Sequence, residues 1–317
     1  MKVGIVGGNI CGSYLAWRLA GEHDVTVFER GASSGNKACS GLISDRLWSF
    51  MPENRELVEH LVFYANIHFP KRTVTVKFSP KMLVVERSWL DKYAANLAKK
   101  EGVNVLYNHE VTGVATGGKP VVHANGQDFE FDYVIGCDGA LSAVRKSLNV
   151  ADPHFRLGIY AYKKERSDSD AVDTFPLRNG FKWKIPRRKY VEYGVLESAE
   201  RAREEFSYFM EQVRFADHEA KAAIIPEGLR LSSSKSVALC GDAAGLTKHW
   251  SGGGIIWGLT AADMLVKSGL RTGKYNAALK RFFLPNIYAA RIKTFLANFG
   301  GSRGLSPKKV VFDPDWG

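Results

Sequence analysis

The chain has 317 residues, is 45% hydrophobic and carries a formal net charge of +11 at pH 7, enough apolar material for one to three units with a substantial core. No run of about 18 uninterrupted apolar residues occurs, which argues against a transmembrane helix. The four cysteines (Cys11, Cys39, Cys137, Cys240) form no Cys-x-x-Cys pair, which argues against a zinc site, an iron–sulfur site or a disulfide scaffold, so no metal is expected.

The opening Lys2-Val-Gly-Ile-Val-Gly7 predicts a short buried parallel strand ending in glycine. A helix over 12–20 and a strand over 25–29 complete one βαβ unit of about 30 residues, the size of a dinucleotide-binding unit. The stretch 3–19 has the apolarity of a signal peptide behind Lys2. However, Gly7, Gly8, Asn9 and Gly12 interrupt its centre and no small-residue cleavage site follows, so a cytoplasmic chain is expected. Alternation over 72–78 predicts a half-exposed antiparallel strand. Ser88, with Asp91 three places on, reads as the N-cap of a helix to Lys100 that carries Trp89, Tyr93 and Leu97 on one face. Strands follow near 103–106, 111–115 and 133–137. Aromatic-rich strands at 157–162, 181–185 and 191–196, separated by Pro and charged turns, predict an inserted antiparallel sheet. A polar helix over 199–213 leads to a buried strand at 236–240, a helix over 253–266, and a tail that is helical from Tyr275 to Gly300.

Three segments carry the chemistry. Gly7-Gly-Asn-Ile-Cys-Gly12 stands where G-x-G-x-x-G would open a dinucleotide-binding helix. Glycines there permit the turn, and backbone N–H groups at the helix start receive a pyrophosphate. Asn9 replaces the middle glycine, a residue type that tolerates left-handed backbone. Glu29, ending the second strand, is placed to accept hydrogen bonds from an adenosine ribose, and Arg30 beside it joins the cofactor set. The second segment is Tyr133-Val-Ile-Gly-Cys-Asp138-Gly139-Ala-Leu-Ser142-Ala-Val-Arg145. The third is Val237-Ala-Leu-Cys-Gly241-Asp242-Ala-Ala-Gly245.

In this order the three resemble the aromatic-hydroxylase-like flavoproteins, the group that includes p-hydroxybenzoate hydroxylase and the geranylgeranyl reductases. The resemblance covers most of the chain and implies FAD as cofactor, with Asp242 on its ribityl or ribose and Asp138-Gly139 beside it. It implies an α/β fold, a Rossmann-like FAD-binding domain of the glutathione-reductase type with an inserted antiparallel β-sheet substrate domain. The FAD-binding domain is expected at 1–60, 80–150 and 228–270, the substrate domain at 61–79 and 151–227, and a C-terminal helical tail at 271–317.

Within that group, Gly245-Leu-Thr-Lys-His249-Trp-Ser251-Gly-Gly253-Gly254-Ile255 looks like the geranylgeranyl reductase loop that enters a helix under the flavin ring. Its glycines leave room for close approach, and the helix start favours negative charge on the reduced ring. His249 departs from the family's usual proline; it either lines a substrate pocket or packs. Lys37-Ala-Cys39-Ser40-Gly41 resembles the family segment facing flavin and substrate, with Cys39 a proton relay, a redox modulator or a small buried hydrophobe. Phe181-Lys-Trp183-Lys-Ile185-Pro186 resembles the reductases' aromatic strand and also the Trp-x-Trp-x-Ile-Pro stretch of flavin-dependent halogenases. The lysine-bearing halogenase motif is missing. Arg87 matches an arginine that such flavoproteins place near the cofactor.

The resemblance implies reduction of isolated carbon–carbon double bonds in geranylgeranyl chains, with Cys39, Trp183 and His249 as candidate catalytic residues. Cys39, a tyrosine or a bound water is the proton source, and Trp183, Tyr160 and Tyr193 are candidate tunnel walls. The alternatives are a monooxygenase or halogenase of the same fold, and a flavoprotein that only transfers electrons or binds lipid. The expected partners are a prenylated lipid and a reductant such as NAD(P)H or ferredoxin. The basic balance carries no nucleic-acid motif, so no nucleic acid is expected. Peripheral membrane contact is open, through Lys274, Lys280, Arg281, Arg291 and Lys293, interleaved with Phe282, Phe283, Ile287 and Phe295.

Overall fold

The computed structural model describes residues 1–216, 219–305 and 309–317. Strand β1 (Lys2–Val6) runs into helix α1 (Ile10–Leu19), and β2 (Asp24–Glu29) returns parallel to β1. A short β3 (Leu42–Ser44) precedes a long hairpin, β4 (Val58–Phe69) and β5 (Arg72–Val85). Helix α2 (Arg87–Lys100) and β6 (Asn104–Tyr107) bring the chain back beside β2. A separate meander, β7 (Val111–Ala115), β8 (Val121–Ala124) and β9 (Gln127–Glu130), leads into β10 (Tyr133–Gly136) next to β1. After the one-turn helix α3 (Ala143–Ser147) come β11 (His154–Lys163), β12 (Ala171–Pro176), β13 (Phe181–Pro186) and β14 (Val191–Ser198). Helix α4 (Ala202–Gln212) and β15 (Lys221–Glu227) follow, then β16 (Val237–Leu239), α5 (Ile255–Lys267), α6 (Thr272–Arg303) and β17 (Lys309–Phe312).

Two large sheets result. The first has five parallel strands in the order β16-β10-β1-β2-β6, the doubly wound arrangement expected of the βαβ opening. Its strands are apolar on both faces, as burial on both sides demands: Val3, Ile5, Val134 and Ile135 have no exposed surface, and Phe129 of the meander and Phe131 just after it pack on Phe28. The second sheet has nine strands, in the order β15-β11-β14-β13-β12-β4-β5-β17 with β3 beside β5. It is mostly antiparallel, with parallel pairs at β12–β4 and β17–β5.

Several strands of the second sheet escape sequence reading for physical reasons. β4 is interrupted by Glu59, His60 and His68 and by two register shifts against β5, so no clean alternation marks it. β15 contains Pro226, which the ladder tolerates because this strand lies at the sheet edge. Helix α2 is capped by Glu86, whose side chain accepts from the Ser88 N–H, so Ser88 is not the cap its sequence position suggested.

The segment after β17 docks on both halves of the molecule. Asp315 is fully buried, and its carboxylate accepts from Ser44 Oγ (2.5 Å), Arg46 (2.9 Å) and Lys248 Nζ (3.1 Å). Its carbonyl accepts from the indole N–H of Trp257 (2.9 Å), against which Trp316 stacks. Lys248 is buried, and desolvation pulls its ammonium below the usual lysine range even with Asp315 beside it. No described helix is long and apolar enough to cross a membrane.

Candidate functional site

The carboxyl edge of the parallel sheet gathers the expected cofactor residues through very close backbone approaches. Gly7 has φ +102°, and a Cβ there would stand 2.4 Å from the carbonyl oxygen of Cys137. A Cβ on Gly12 would stand 1.9 Å from the Gly7 carbonyl, so the first turn of α1 lies directly on the strand end. Asn9, at φ −83°, is not left-handed, and its place in the motif has another cause: its side-chain oxygen accepts from the Gly35 N–H (2.9 Å). The asparagine thus ties the following loop to the turn, a role no glycine can fill.

Helix α1 starts at Ile10, whose N–H donates to the buried carboxylate of Asp91 (2.7 Å). Arg87, also buried, holds the second Asp91 oxygen (2.9 Å). Arg87 therefore acts through Asp91 on the start of α1. Helix geometry leaves the next N–H groups, at Cys11 and Gly12, without intrahelical partners, and the first turn contains no acid. Glu29 is buried and accepts from the N–H groups of Gly8 and Gly31, both at 2.8 Å; Arg30 beside it is exposed. Each carboxylate oxygen keeps a lone pair for a hydroxyl.

Behind this turn stand the other two fingerprints. Asp138 accepts from Ser142 Oγ (2.5 Å) and the Val144 N–H (3.1 Å), anchoring α3, and burial pushes its carboxyl above the usual range. Gly139, at φ +85°, has nothing within 4 Å of where a Cβ would stand, so its outer side is open. Arg145 is fully buried and fastens the two segments together, donating to the carbonyls of Ala140 (2.7 Å) and Ala243 (3.0 Å). Gly241 packs on Cys11 Sγ, as does Gly258 one turn into α5. Gly245 sits against the Gly228 carbonyl. Asp242 forms an ion pair with Lys37, and a Cβ on Gly254 would stand 3.0 Å from its Oδ1. Gly253 and Gly254 lead into Ile255, the start of α5, which has neither a side-chain cap nor an acid in its first turn. Two helices with open N-termini, α1 and α5, thus begin side by side, a cradle for phosphates and for other negative charge. The donors and open glycine sides fit a dinucleotide cofactor.

The second cluster joins the Cys39 loop to the nine-stranded sheet. Tyr160 on β11 accepts from the Cys39 N–H (3.1 Å), and Cys39 Sγ accepts from the Gly41 N–H (3.4 Å). Gly41, at φ +67°, is pressed so close to β5 that a Cβ would meet the Val85 carbonyl at 1.9 Å. Arg187, just after β13, donates to the Ser40 carbonyl and to the carboxylates of Glu59 (2.6 Å) and Glu192 (3.1 Å). Glu192 is fully buried and also accepts from the Trp183 indole N–H (2.7 Å). Burial pushes its carboxyl up to about 7, against the pull of Arg187. Burial, with Glu192 next in weight, holds the Tyr160 hydroxyl protonated to about 12. Trp183 lies over Gly194, where no Cβ fits beneath the ring.

Tyr160, Trp183, Ile185 and Leu196 share one apolar face of the sheet with Val62, Val84 and Met82. Tyr193 lies on the opposite face, packed on Phe209 of α4, and is therefore no part of a wall that includes Trp183. His249 is held elsewhere: its ring bonds to Glu227 (3.1 Å) and its carbonyl accepts from Arg156 (2.8 Å), itself buried and paired with Glu227. Arg156 is four places before Tyr160 on β11, about 13 Å along the strand. Cys39 and Trp183 are thus linked through Arg187 and Glu192, while His249 belongs to a separate cluster. Sequence reading missed Asp91, Arg145, Arg187 and Glu192. Only Asp91 and Arg145 stood near or within a motif.

Residues 1–207 match the family model described as FAD binding domain. Among curated proteins, the digeranylgeranylglycerophospholipid reductase 2 of Methanothermobacter thermautotrophicus is 26% identical over 86% of this chain and 80% of its own length. Among solved structures, a geranylgeranyl bacteriochlorophyll reductase-like protein from Thermoplasma acidophilum superposes with a TM-score of 0.81 at 20% identity, over 95% of this chain and 89% of that one. The flavin-dependent halogenase CmlS follows the same fold, with a TM-score of 0.74 at 18% identity, over 99% of this chain and 68% of that one.

Proposed function

Since this chain belongs to the FAD binding domain family and FAD is its cofactor, we propose that it is an oxidoreductase adding two hydrogens to carbon–carbon double bonds of geranylgeranyl chains in lipids or lipid precursors. The observation that carries this reading is the linkage of the Cys39-Ser40-Gly41 loop to the apolar, Trp183-bearing face of the sheet through Tyr160, Arg187 and Glu192. The relative named a digeranylgeranylglycerophospholipid reductase supports it.

FAD, once reduced by an external donor such as NAD(P)H or ferredoxin, supplies the hydride. The N–H groups at the starts of α1 and α5 would hold its pyrophosphate and ring, and Glu29 and Asp242, the latter paired with Lys37, would accept from its hydroxyls. Arg87 keeps α1 in place through Asp91. An isolated alkene has no carbonyl to hold developing charge, so the chain must position it and deliver one proton per hydride. The apolar face around Trp183, Ile185 and Leu196, packed against Val62, Val84 and Met82, would part to take a prenyl chain and shield it from water. Cys39 and the Tyr160 hydroxyl stand where that face meets the loop, and either can hand over the proton. His249, fixed to Glu227, shapes the loop entering α5.

The test is anaerobic: the dithionite-reduced protein is mixed with a geranylgeranylated glycerolipid, and flavin absorbance and lipid mass are followed. Flavin reoxidation with two hydrogens gained per double bond is expected, and Cys39→Ala should slow it at least tenfold. The Phe181–Pro186 strand with its Ile185-Pro186 ending, seen also in halogenases, favours oxygen chemistry as a second reading. A flavin that stays reduced beside the lipid and reacts only with air would replace the first reading by the second.

A further inference from the structure

Helix α6 is 32 residues long with Pro285 inside it, and its two sides differ sharply. Tyr275, Leu279, Phe283, Ala290 and Gly301 form the inner side; Gly301 lies so close to Phe69 at the tip of β4 that no Cβ fits. Phe282 and Phe283, expected from sequence to touch a membrane, instead pack against Trp316 and Trp257. On the opposite side Tyr288, Ile292, Phe295, Leu296 and Phe299 are 44 to 67% exposed. Their spacing of four, three, one and three places sets them in one stripe about 17 Å long pointing away from the protein.

The helix contains no acidic residue, and its six basic ones (Lys274, Lys280, Arg281, Arg291, Lys293, Arg303) are all exposed. At 100° per residue Arg281 and Arg303 continue the stripe at either end. Arg291 and Lys293 flank it on opposite sides. The Arg303 guanidinium lies 3.8 Å over the Phe299 ring. An apolar ridge on a helix whose charged residues are all cations matches an anionic bilayer surface, with rings among acyl chains and cations at head-group phosphates. It does not match an acidic protein groove as well, because a groove would leave the outward-pointing crest of five large side chains without depth to fill.

We propose that the outer face of α6 seats this protein on an anionic lipid bilayer, α6 lying in the interface plane. The docking stands whether or not the prenyl-reductase reading holds. Loss of lipid reduction with intact docking would affect only that reading.

The experiment is density-gradient flotation of the FAD-loaded full chain with phosphatidylcholine vesicles, with and without phosphatidylglycerol. The chain should float with the anionic vesicles and remain at the bottom with the neutral ones. Ile292→Glu with Phe295→Glu should lower flotation at least tenfold while the flavin absorbance is retained. Arg291→Glu alone should weaken it roughly fivefold or more, as expected for a basic residue at an anionic surface. Wild-type protein left at the bottom with anionic vesicles, or the double variant floating like wild type, would overturn the proposal. Sedimentation velocity closes the remaining case: a wild-type dimer that the double variant converts to monomer, with no flotation of either, would assign the face to self-association instead.

Discussion

Around the parallel sheet the turn at the start of α1 is shaped by Gly7 and Gly12, whereas on the nine-stranded sheet the clusters around Trp183 and His249 are built from buried ions. At Gly7 and Gly12 the backbone approaches itself to within distances no side chain permits. In the other sheet Glu192, Arg187, Arg156 and Glu227 are buried and held by one another. A dinucleotide is gripped mainly through N–H groups and helix starts, so that region is shaped by removing side chains. Ion clusters give up solvation and return mainly geometric specificity, which suits the proposed role of this sheet as the substrate face. In the first region the close approaches recur at fixed offsets within a short motif; in the second the partners are brought together from separate strands.

The largest effect expected from this contrast is at Gly12. Gly12→Ala should cost about 3 kcal/mol or more, because the clash is with backbone, and the purified protein should be colourless. Gly139→Ala, where a Cβ meets open space at φ +85°, should cost only about 1–2 kcal/mol of stability. Equal losses in thermal unfolding would break the distinction between the two glycines. Arg145→Met should come next, at about 3 kcal/mol, since two carbonyls and Asp152 lose a buried donor. A melting temperature within a degree of wild type would show that the fingerprints hold together without it.

Glu192 carries the ion side of the comparison. Its carboxyl is raised from the ordinary 4.5 to about 7, so as pH climbs through that window the unfolded chain ionises first and folding loses on the order of 3 kcal/mol. Wild type should thus weaken between pH 4.5 and 7 relative to Glu192→Gln, which lacks that titration. Parallel urea midpoints for the two across this range would sink the assignment. The smallest effect is expected at Asn9→Ala, which removes one hydrogen bond to Gly35 and should cost about 1 kcal/mol. FAD affinity should fall several-fold, as read by flavin fluorescence; a tenfold gain would mean that the asparagine obstructs the cofactor.

The same contrast explains what could be read before the structure. Gly7, Gly12, Asp138 and Gly241 stand at fixed offsets from apolar strand patterns, and strand, turn and helix follow one another within a few residues. The α/β class, the parallel strands and the FAD assignment are therefore legible from local order. Asn9 was seen but its tether to Gly35 was not, because the partner is 26 places away. Glu192 lies in an unremarkable Val191-Glu-Tyr193 stretch, and nothing local shows that β11, β13 and β14 enclose it. The aromatic character of Tyr193 suggests a place beside Trp183, yet only register decides which sheet face a strand residue takes. β17, a four-residue strand parallel to β5, has its pairing partner more than two hundred residues earlier.

The docking of Asp315 bears on how the molecule is made. Residues 313–317 leave the ribosome after every other part described, yet they supply the counter-charge of Lys248, in the loop that enters α5. Until they arrive, that lysine has no anion with which to enter the interior, and the loop has reason to stay open to water. Closure of this loop therefore depends on residues 313–317, although Asp315 lies 67 places further along the chain than Lys248.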